Sequence, residues 1–272
     1  MTTAQKVIKY IALALAVCLI VGIISGIIRL AGGLSYIFSR NEPNSDLTNE
    51  YTDISDAEHI SILDIELEYA QLIIKNGDGF KVETSDKEIT VKFDKKNSKL
   101  TIKEPDRMFH STKGETVILY IPENSEFESV EIDSGAGTVE VEALSVNDLT
   151  LDLGAGKAEF NELFVTRAAD IDCGTGATTI GNGEIRNLDI DIGVGKIEIT
   201  SKLTGNCFID NGIGSAEIKI LNSKEAYTIK TSSGIGTVLI DGQSVSKDTT
   251  IGSGENLIKI SGGIGTVNIS FN

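Results

Sequence analysis

Five aspartates recur at one position of a repeated pattern and are the strongest candidates for chemistry in this chain. Each stands two residues before the first glycine of a Gly-x-Gly doublet; they are Asp133, Asp152, Asp172, Asp191 and Asp210. Carboxylates stacked about 4.8 Å apart repel one another, so something must offset their charge. Two interpretations stay open. Calcium ions bridge neighbouring carboxylates as a cation ladder, or each Asp accepts the backbone N–H two residues on in an Asx turn.

A second acidic row follows the doublets, three residues after the second glycine. Its members are Glu140, Glu159, Glu198 and Glu217. On a strand these side chains would share one face and could neutralise a basic partner.

Support for catalysis is weak, because no nucleophile or acid–base pattern is present. His59 and His110 are the only histidines, and neither stands near a cysteine or serine in a recognisable motif. A carbohydrate-active enzyme of the β-helix type would need paired carboxylates in a cleft beside sugar-binding groups. The chain has no Trp, and Arg107, Arg167 and Arg186 share no repeat position. The sequence therefore predicts no enzyme, no catalytic residue and no cofactor other than the calcium of the cation ladder.

Seven Gly-x-Gly doublets must position the acidic rows, and we number their repeats 1 to 7. The glycines are Gly135, Gly137, Gly154, Gly156, Gly174, Gly176, Gly193, Gly195, Gly212, Gly214, Gly234, Gly236, Gly263 and Gly265. Successive doublets are 19, 20, 19, 19, 22 and 29 residues apart. Apolar residues alternate with polar ones before and after each doublet, as in Ile132, Leu151, Ile171 and Ile190. Each repeat is therefore strand, bend, strand.

A period this short excludes a strand–helix–strand unit and favours one coil of a solenoid. We predict an all-β, single-stranded β-solenoid resembling a β-helix, with coils of about 19–20 residues and apolar ladders along its core. The glycines would act as structural turns, supplying positive φ or close packing. Every doublet precedes a strand rather than a helix, which argues against a phosphate-binding loop. The middle residues are expected to plug the bends; they are Ala136, Ala155, Thr175, Val194, Ile213, Ile235 and Ile264.

The N-terminal segment has the length of a membrane span. Residues 11–28, IALALAVCLIVGIISGII, form 18 uncharged residues, or about 27 Å of helix. We predict one transmembrane helix within residues 1–40. Lys6 and Lys9 favour a cytoplasmic N-terminus, which places the C-terminal domain outside the cell. A cleaved signal peptide and a lipoprotein signal ending at Cys18 stay open as alternatives.

Charge separates this segment from the rest of the chain. Residues 41–272 contain 20 Lys and Arg against 40 Asp and Glu, a formal charge of −20. Such a surface repels phosphate backbones, so no nucleic-acid partner is expected, and divalent cations or basic surfaces fit better. Cys173 and Cys207 stand two repeats apart and are expected to be free, buried thiols.

Four regions follow from these patterns. Residues 1–40 are the cytoplasmic N-terminus and membrane anchor, and 41–53 a polar linker. Residues 54–129 are an N-terminal β region that caps the solenoid, and 130–272 are the Gly-x-Gly repeats.

The sequence resembles a bacterial adhesin-type domain family of unknown function. The segments that carry the resemblance are LIIKNGDGFKVE (72–83), LYIPENSEFESVEIDSGAGTVEVEAL (119–144) and GGIGTVNISF (262–271), together with the uncharged N-terminal anchor and the serial D-x-G-x-G strands. The family includes LiaG-like proteins of Gram-positive envelope-stress loci. The resemblance covers about residues 54–272 and implies a surface-exposed β-solenoid with no catalytic motif to carry over.

We therefore expect a non-enzymatic β-solenoid of the cell surface, held in the cell membrane by a single-pass anchor. It would act as an adhesin or envelope-binding module and present an acidic face to a protein or polysaccharide of the envelope. One alternative is an envelope-stress sensor that signals through its membrane helix, where Gly22, Ser25 and Gly26 could form a helix contact. The other is the carbohydrate-active enzyme.

Overall fold

The computed structural model of the chain describes residues 49–51, 54, 57, 59–105 and 115–272. The predicted anchor (1–40), most of the predicted linker, Arg107 and His110 lie outside these residues. Among the described residues, no helix has the length and apolar character needed to cross a membrane.

The described residues form an all-β structure with one short 3₁₀ turn. The strands are β1 Asn49–Tyr51, β2 Ile62–Leu67, β3 Gln71–Gly77, β4 Lys81–Thr84, β5 Thr90–Asp94, β6 Lys99–Lys103, β7 Thr116–Pro122, β8 Glu126–Ser134, β9 Thr138–Arg186, β10 Leu188–Thr204, β11 Asn206–Ile220, β12 Tyr227–Ser233, β13 Thr237–Ile240, β14 Gln243–Val245, β15 Thr249–Ile251 and β16 Asn256–Phe271. The 3₁₀ turn spans Lys224–Ala226.

Each coil buries alternate side chains along three successive stretches, which we call sides A, B and C. In coil 2 these are 149–153 before the doublet, 157–160 after it, and 163–165 beyond the next bend. The side chains that point inward are Leu149, Leu151, Ala158, Phe160, Leu163 and Val165, and each is at most 2% exposed. Alternation with period two therefore holds along each side, as the sequence predicted before and after the doublet, and it is interrupted at the two bends, where the inward positions change from odd to even numbers and back.

Parallel pairing holds successive coils in register. Ile132 is opposite Leu151, Ile171 opposite Ile190, and Ile190 opposite Ile209. Identical repeat positions thus stack directly on one another and form a continuous apolar ladder. The predicted β-solenoid is confirmed.

The order of the coils along the stack differs from their order in the sequence at the C-terminal end. Strand β16, which carries coil 7, pairs with β11 of coil 5 on one side and with β12 and β13 of coil 6 on the other. The last two coils therefore do not stack in sequence order.

The inward residues explain this exchange. Ile260 of coil 7 stacks on Ile209 within the apolar ladder, whereas Thr231 of coil 6 occupies the same position at the end of the stack. The Thr231 hydroxyl donates to the Ser246 carbonyl at 3.2 Å, a partner that only the end cap provides. A buried hydroxyl is costly without such a partner, so the threonine coil belongs at the end.

A similar exchange occurs at the N-terminal end. Strands β2 and β3 form a coil that lies between coil 1 and a coil made by β6 and β7. Antiparallel strands then cover both outer coils: β4 and β5 at one end, and β14 and β15 at the other. Covering the terminal edges removes unpaired backbone groups that would recruit strands from other chains.

Candidate functional site

The five predicted aspartates form one outward-facing row on side A. All five are exposed, and parallel register places Asp133 opposite Asp152, Asp172 opposite Asp191, and Asp191 opposite Asp210. Glu66 extends the row beyond Asp133, whereas Ser261 continues it beyond Asp210. The alternation of side A thus brings residues that are 19 or 20 positions apart in the sequence into direct contact distance.

A second row, which the sequence analysis did not identify, runs beside the first and two residues before it. It contains Asp64, Glu131, Asp170 and Asp189, with Asp64 opposite Glu131 and Asp170 opposite Asp189. Thr150 interrupts it, and it ends at Phe208, beyond which Lys259 and Lys230 occupy the same position. These departures hid the pattern. We call the two rows together the acidic face: Asp64, Glu66, Glu131, Asp133, Asp152, Asp170, Asp172, Asp189, Asp191 and Asp210.

Lysines stand at both ends of the acidic face, because Lys259 and Lys230 follow Phe208 in the second row, but ion pairs form at one end. Lys99 pairs with Asp64, and Lys103 with Glu66. Six carboxylates further along have no ion pair or hydrogen bond within the described residues; they are Asp152, Asp170, Asp172, Asp189, Asp191 and Asp210. The face therefore carries a concentrated, uncompensated negative charge.

The pKa values of several of these carboxyl groups reflect that charge. Partial burial, and then the neighbouring carboxylates Asp152 and Asp191, raise the pKa of Asp172 above its ordinary value. Burial and nearby carboxylates raise the pKa of Asp189 in the same direction. Ionisation of one residue in the face therefore opposes ionisation of the next, and a bound cation or basic side chain would relieve that opposition.

The Asx turns expected at these aspartates are not present among the described hydrogen bonds. The two Asx bonds of this type that accept a backbone N–H two residues on lie elsewhere, at Asp86 and Asp94. Backbone N–H groups at the first doublet instead donate to the adjacent coil, as Gly135 does to the Leu67 carbonyl at 2.9 Å. Since the inter-coil ladder already uses these donors, the aspartate side chains stay free to face solvent.

The glycine doublets bend each coil where adjacent backbones approach closely. A Cβ built on Gly156 would lie 1.9 Å from the Gly137 carbonyl oxygen, and one on Gly195 would lie 2.0 Å from that of Gly176. Gly195 also has a φ of +157°, which side chains rarely adopt. Only glycine tolerates both the close approach of the adjacent carbonyl oxygen and this value of φ.

Residues next to the doublets meet inside the bend. The Cys173 sulfur lies 3.4 Å from the Thr178 hydroxyl oxygen, although a straight strand would separate residues five apart by about 17 Å. The middle residues differ along the stack: those of coils 1 to 5 are half-buried, whereas Ile264 is 46% and Ile235 is 85% exposed. The prediction that the middle residues plug the bends is therefore wrong for Ile264 and Ile235, the middle residues of the last two coils.

Both described cysteines are free, as predicted. Burial raises the pKa of Cys207 to about 11, and burial also raises the pKa of Cys173. Thiols of this kind are poor nucleophiles at neutral pH.

The glutamate row on side B is partly neutralised. Lys157 pairs with Glu159 at 2.6 Å, and Lys196 pairs with Glu198. Thr179 interrupts the row between these two glutamates. Side B therefore carries less uncompensated charge than the acidic face.

Arg167 is likewise engaged within the fold. Its guanidinium donates to Asp148 and lies 2.8 Å from Glu128, and these contacts lower the pKa of both carboxyl groups. Arg167 is therefore a structural tie between coils.

No described cluster has the geometry of a metal or catalytic centre. In the part of the chain that the structure describes, no three His, Cys, Asp or Glu side chains group closely enough to hold a metal ion. His59 is exposed. A shallow groove of about 390 Å³ on side B is lined by the paired Lys196 and Glu198, by Glu217 and Lys219, and by no aromatic side chain. The acidic face is thus the most distinctive chemical feature of the described residues.

The sequence of the described solenoid matches one known protein family. The family model described as Toastrack DUF4097, a domain of unknown function, matches residues 60–261. No curated protein matches the sequence.

Two solved structures resemble the chain. One is a proposed cell adhesion protein from Clostridium sporogenes, with 16% identity, a TM-score of 0.30, and coverage of 79% of this chain and 93% of the other. The second is a proposed adhesin from Bacteroides fragilis, with 12% identity, a TM-score of 0.36, and coverage of 81% and 95%. Neither likeness carries an argument about function at these scores.

Proposed function

The chain belongs to the Toastrack DUF4097 family, and on that premise we propose that it is a non-enzymatic binding module of the cell surface. In this proposal residues 1–40 anchor it in the membrane with the N-terminus in the cytoplasm. The solenoid then stands outside the cell and presents its acidic face to a basic component of the envelope.

The acidic face is the observation that carries the proposal. Six neighbouring carboxylates repel one another, and within the described residues no ion pair or hydrogen bond offsets that repulsion. A basic partner or a divalent cation would convert this repulsion into binding energy. Calcium binding by the Asp row remains a prediction within the same proposal. Carboxylate oxygens suit this ion, because Ca²⁺ takes six to eight oxygen ligands at about 2.3–2.6 Å.

Shape supports binding over catalysis. The face is the outer surface of paired strands with period-two exposure, as in 188–191. Surfaces of this kind recognise partners by spaced side chains rather than by enclosing a small molecule.

The test compares retention of solubilised envelope material by the immobilised full chain and by two charge variants. The triple variant Asp152→Asn, Asp172→Asn, Asp191→Asn neutralises the acidic face. The matched control Glu140→Gln, Glu159→Gln, Glu217→Gln removes the same charge from side B.

We expect the wild type and the side B control to retain the same material in a salt-sensitive way, and the acidic-face variant to retain at least tenfold less. Equal retention by all three chains would contradict the proposal. Loss in both variants would show that net charge alone, and not this face, is responsible.

A further inference from the structure

One row of outward side chains on side A changes from negative to positive charge at a single aromatic residue. Parallel register places Asp170 opposite Asp189, Asp189 opposite Phe208, Phe208 opposite Lys259, and Lys259 opposite Lys230. We call these five residues the Phe208 row. All of them are exposed, and Phe208 is 38% exposed. The two halves of the row therefore carry opposite charges at equal distances from Phe208.

The charges on both sides of Phe208 are not neutralised by ion pairs. Within the part of the chain that the structure describes, Asp170, Asp189, Lys230 and Lys259 have no ion-pair partner. The Lys259 ammonium lies 5.8 Å from the centroid of the Phe208 ring. Because Phe208 stands between Lys259 and Asp189, the fold keeps these opposite charges about 9.6 Å apart along the stack.

A second copy of the chain complements this row when a two-fold axis relates the two copies. The axis lies along the strands and passes through Phe208, so the stacks run antiparallel and the two sides A face each other. Each layer then meets the layer at the same distance on the other side of Phe208. Lys259 faces Asp189 of the partner subunit, and Lys230 faces Asp170 of the partner subunit. The symmetry repeats both pairs, because a two-fold contact uses the same patch on both copies.

The neighbouring Asp row fits the same arrangement. Beyond Asp210 this row continues into Ser261 and Ser232. The same axis passes beside Asp210 and places Ser261 opposite Asp191 of the partner subunit and Ser232 opposite Asp172 of the partner subunit. Serine hydroxyls can donate to these carboxylates. The one like-charge contact is that of Asp210 with its own symmetry equivalent.

Other partners fit the Phe208 row less well. If the two-fold axis lay along the stack, each layer would meet the same layer of the second copy, so aspartates would face aspartates and lysines would face lysines. A purely basic partner would neutralise Asp170 and Asp189 but would repel Lys259 and Lys230. The antiparallel pair of copies satisfies both halves of the row.

The contact is small, which indicates a weak dimer. Five layers about 4.8 Å apart, with about five residues of strand in each, give roughly 400 Å² on each copy. Stable interfaces usually bury about 800 Å² on each partner. The formal net charge of −16 on each chain also opposes association. We therefore expect a reversible dimer with a dissociation constant of about 10–100 µM.

We propose that side A around Phe208 is a self-association surface, through which two copies of this chain form an antiparallel two-fold dimer. Phe208 contacts its symmetry equivalent at the axis, where two exposed aromatic rings can pack together. Lys259 and Lys230 form ion pairs with Asp189 and Asp170 of the partner subunit. The inference goes beyond the proposed function and does not rest on it, since the dimer leaves the N-terminal end of the acidic face uncovered.

The test measures the dissociation constant of the dimer by sedimentation equilibrium of the full chain in density-matched detergent micelles. Three charge variants are compared with the wild type: Asp189→Lys, Lys259→Asp, and the double variant that carries both changes. The single variants shift the net charge in opposite directions, whereas the double variant keeps the wild-type net charge. Phe208→Ser removes the central contact. Its control is Phe164→Ser, which removes a side chain of 39% exposure from side C.

We expect each single charge variant to weaken the dimer at least tenfold, because each one places like charges opposite each other across the axis. The double variant should restore the dissociation constant to within threefold of the wild type, since it exchanges the two partners of the same pair. Phe208→Ser should weaken the dimer at least fivefold, whereas Phe164→Ser should not change it. Asp210→Asn should strengthen the dimer by removing the like-charge contact. Unchanged melting temperatures show that the variants are folded.

Three results would overturn the inference. They are a wild type that stays monomeric up to several hundred micromolar, a dimer that both single charge variants leave unchanged, and a double variant that does not recover. Failure here is distinguishable from failure of the proposed function, because self-association is measured without envelope material. A monomer that still retains envelope material would contradict the dimer alone, and a dimer that retains none would contradict the proposed function alone.

Discussion

At the scale of single residues, the second glycine of each doublet lies where a side chain has no room. A Cβ built on this glycine would point along the stack at a carbonyl oxygen of the adjacent coil, and that oxygen belongs to the backbone of the core. Flexible side chains could yield to a new methyl group, but two stacked backbones cannot do so without separating the coils.

Gly195→Ala is therefore expected to lower the free energy of unfolding by about 3 kcal/mol or more, or to prevent folding altogether. The new Cβ would lie 2.0 Å from the Gly176 carbonyl oxygen. Gly79→Ala is the matched control, because a Cβ there would meet nothing within 4 Å. That change should stay within about 1 kcal/mol of the wild type. Urea unfolding followed by circular dichroism measures both, and similar losses in the two variants would refute the close-packing explanation.

Charge repulsion within the Asp row has a measurable pH dependence. Because burial and three neighbouring carboxylates raise the pKa of Asp172, its ionised form destabilises the fold at neutral pH, and this penalty disappears as pH falls through the raised pKa. Asp172→Asn should therefore stabilise the protein by about 1 kcal/mol at pH 7 and low salt, with the gain shrinking toward zero near pH 3.

Asp148→Asn should change the stability at neutral pH in the opposite direction. Arg167 lowers the pKa of Asp148, so ionised Asp148 stabilises the fold above its unfolded pKa, and that contribution is lost as pH falls through the lowered pKa. The variant should be less stable than the wild type at neutral pH, with a difference that narrows in acid. Thermal unfolding across pH 3–7 measures both variants. A destabilising Asp172→Asn at pH 7 would contradict the proposed repulsion.

At the scale of single elements, β16 is held between β11 and β12, and Tyr227 helps to lock it there. The Tyr227 side chain is fully buried, its hydroxyl donates to the Leu203 carbonyl at 2.7 Å, and its ring centroid lies 5.4 Å from that of Phe271. This one side chain therefore connects the end coil, side C of coil 4 and the last strand.

Tyr227→Phe keeps the ring contact and removes the hydroxyl, which leaves the Leu203 carbonyl without that donor. The free energy of unfolding should fall by about 1–3 kcal/mol. Tyr120→Phe is the control, because the Tyr120 hydroxyl donates to the partly exposed Glu83 carboxylate at 3.2 Å, where water can replace it. Its loss should be below about 1 kcal/mol. Equal effects of the two changes in urea unfolding would argue against the lock.

At the scale of the whole solenoid, the sequence is sufficient to predict the apolar ladders but not the order in which the coils stack. Period-two alternation identifies Ile132, Leu151, Ile171 and Ile190 as stacked core residues, and the same parity correctly places the aspartates outside. Parity fails at the doublets themselves: counting from Asp133 places Ala136 inside, whereas counting back from Val139 places it outside, so the alternation could not predict the exposure of the middle residues.

The similarity of the repeats does not determine which of them are neighbours, because coils 6 and 7 offer coil 5 nearly the same pattern of apolar residues. The deciding differences are single residues and the cap: Ile260 suits an internal layer, whereas Thr231 needs the Ser246 carbonyl. The doublet spacings of 22 and 29 residues, together with Ser232 and Ser261 in place of the aspartates, are the signals in the sequence that the regular pattern changes in the last two coils. The second acidic row escaped detection for a related reason, since Thr150 interrupts it and only the register shows that Glu131 and Asp170 lie in one row.

The central claim is that coil 7 is inserted between coils 5 and 6, and disulfide cross-linking in the full chain tests it most directly. Register places Asp210 opposite Ser261, within the Cα separation that a disulfide needs, and places Ser232 one layer further away. Under mild oxidation, Asp210→Cys with Ser261→Cys should form an intrachain bond that mass spectrometry detects, whereas Asp210→Cys with Ser232→Cys should not. A bond in the second pair and none in the first would show that the coils follow their sequence order and would contradict the inserted strand.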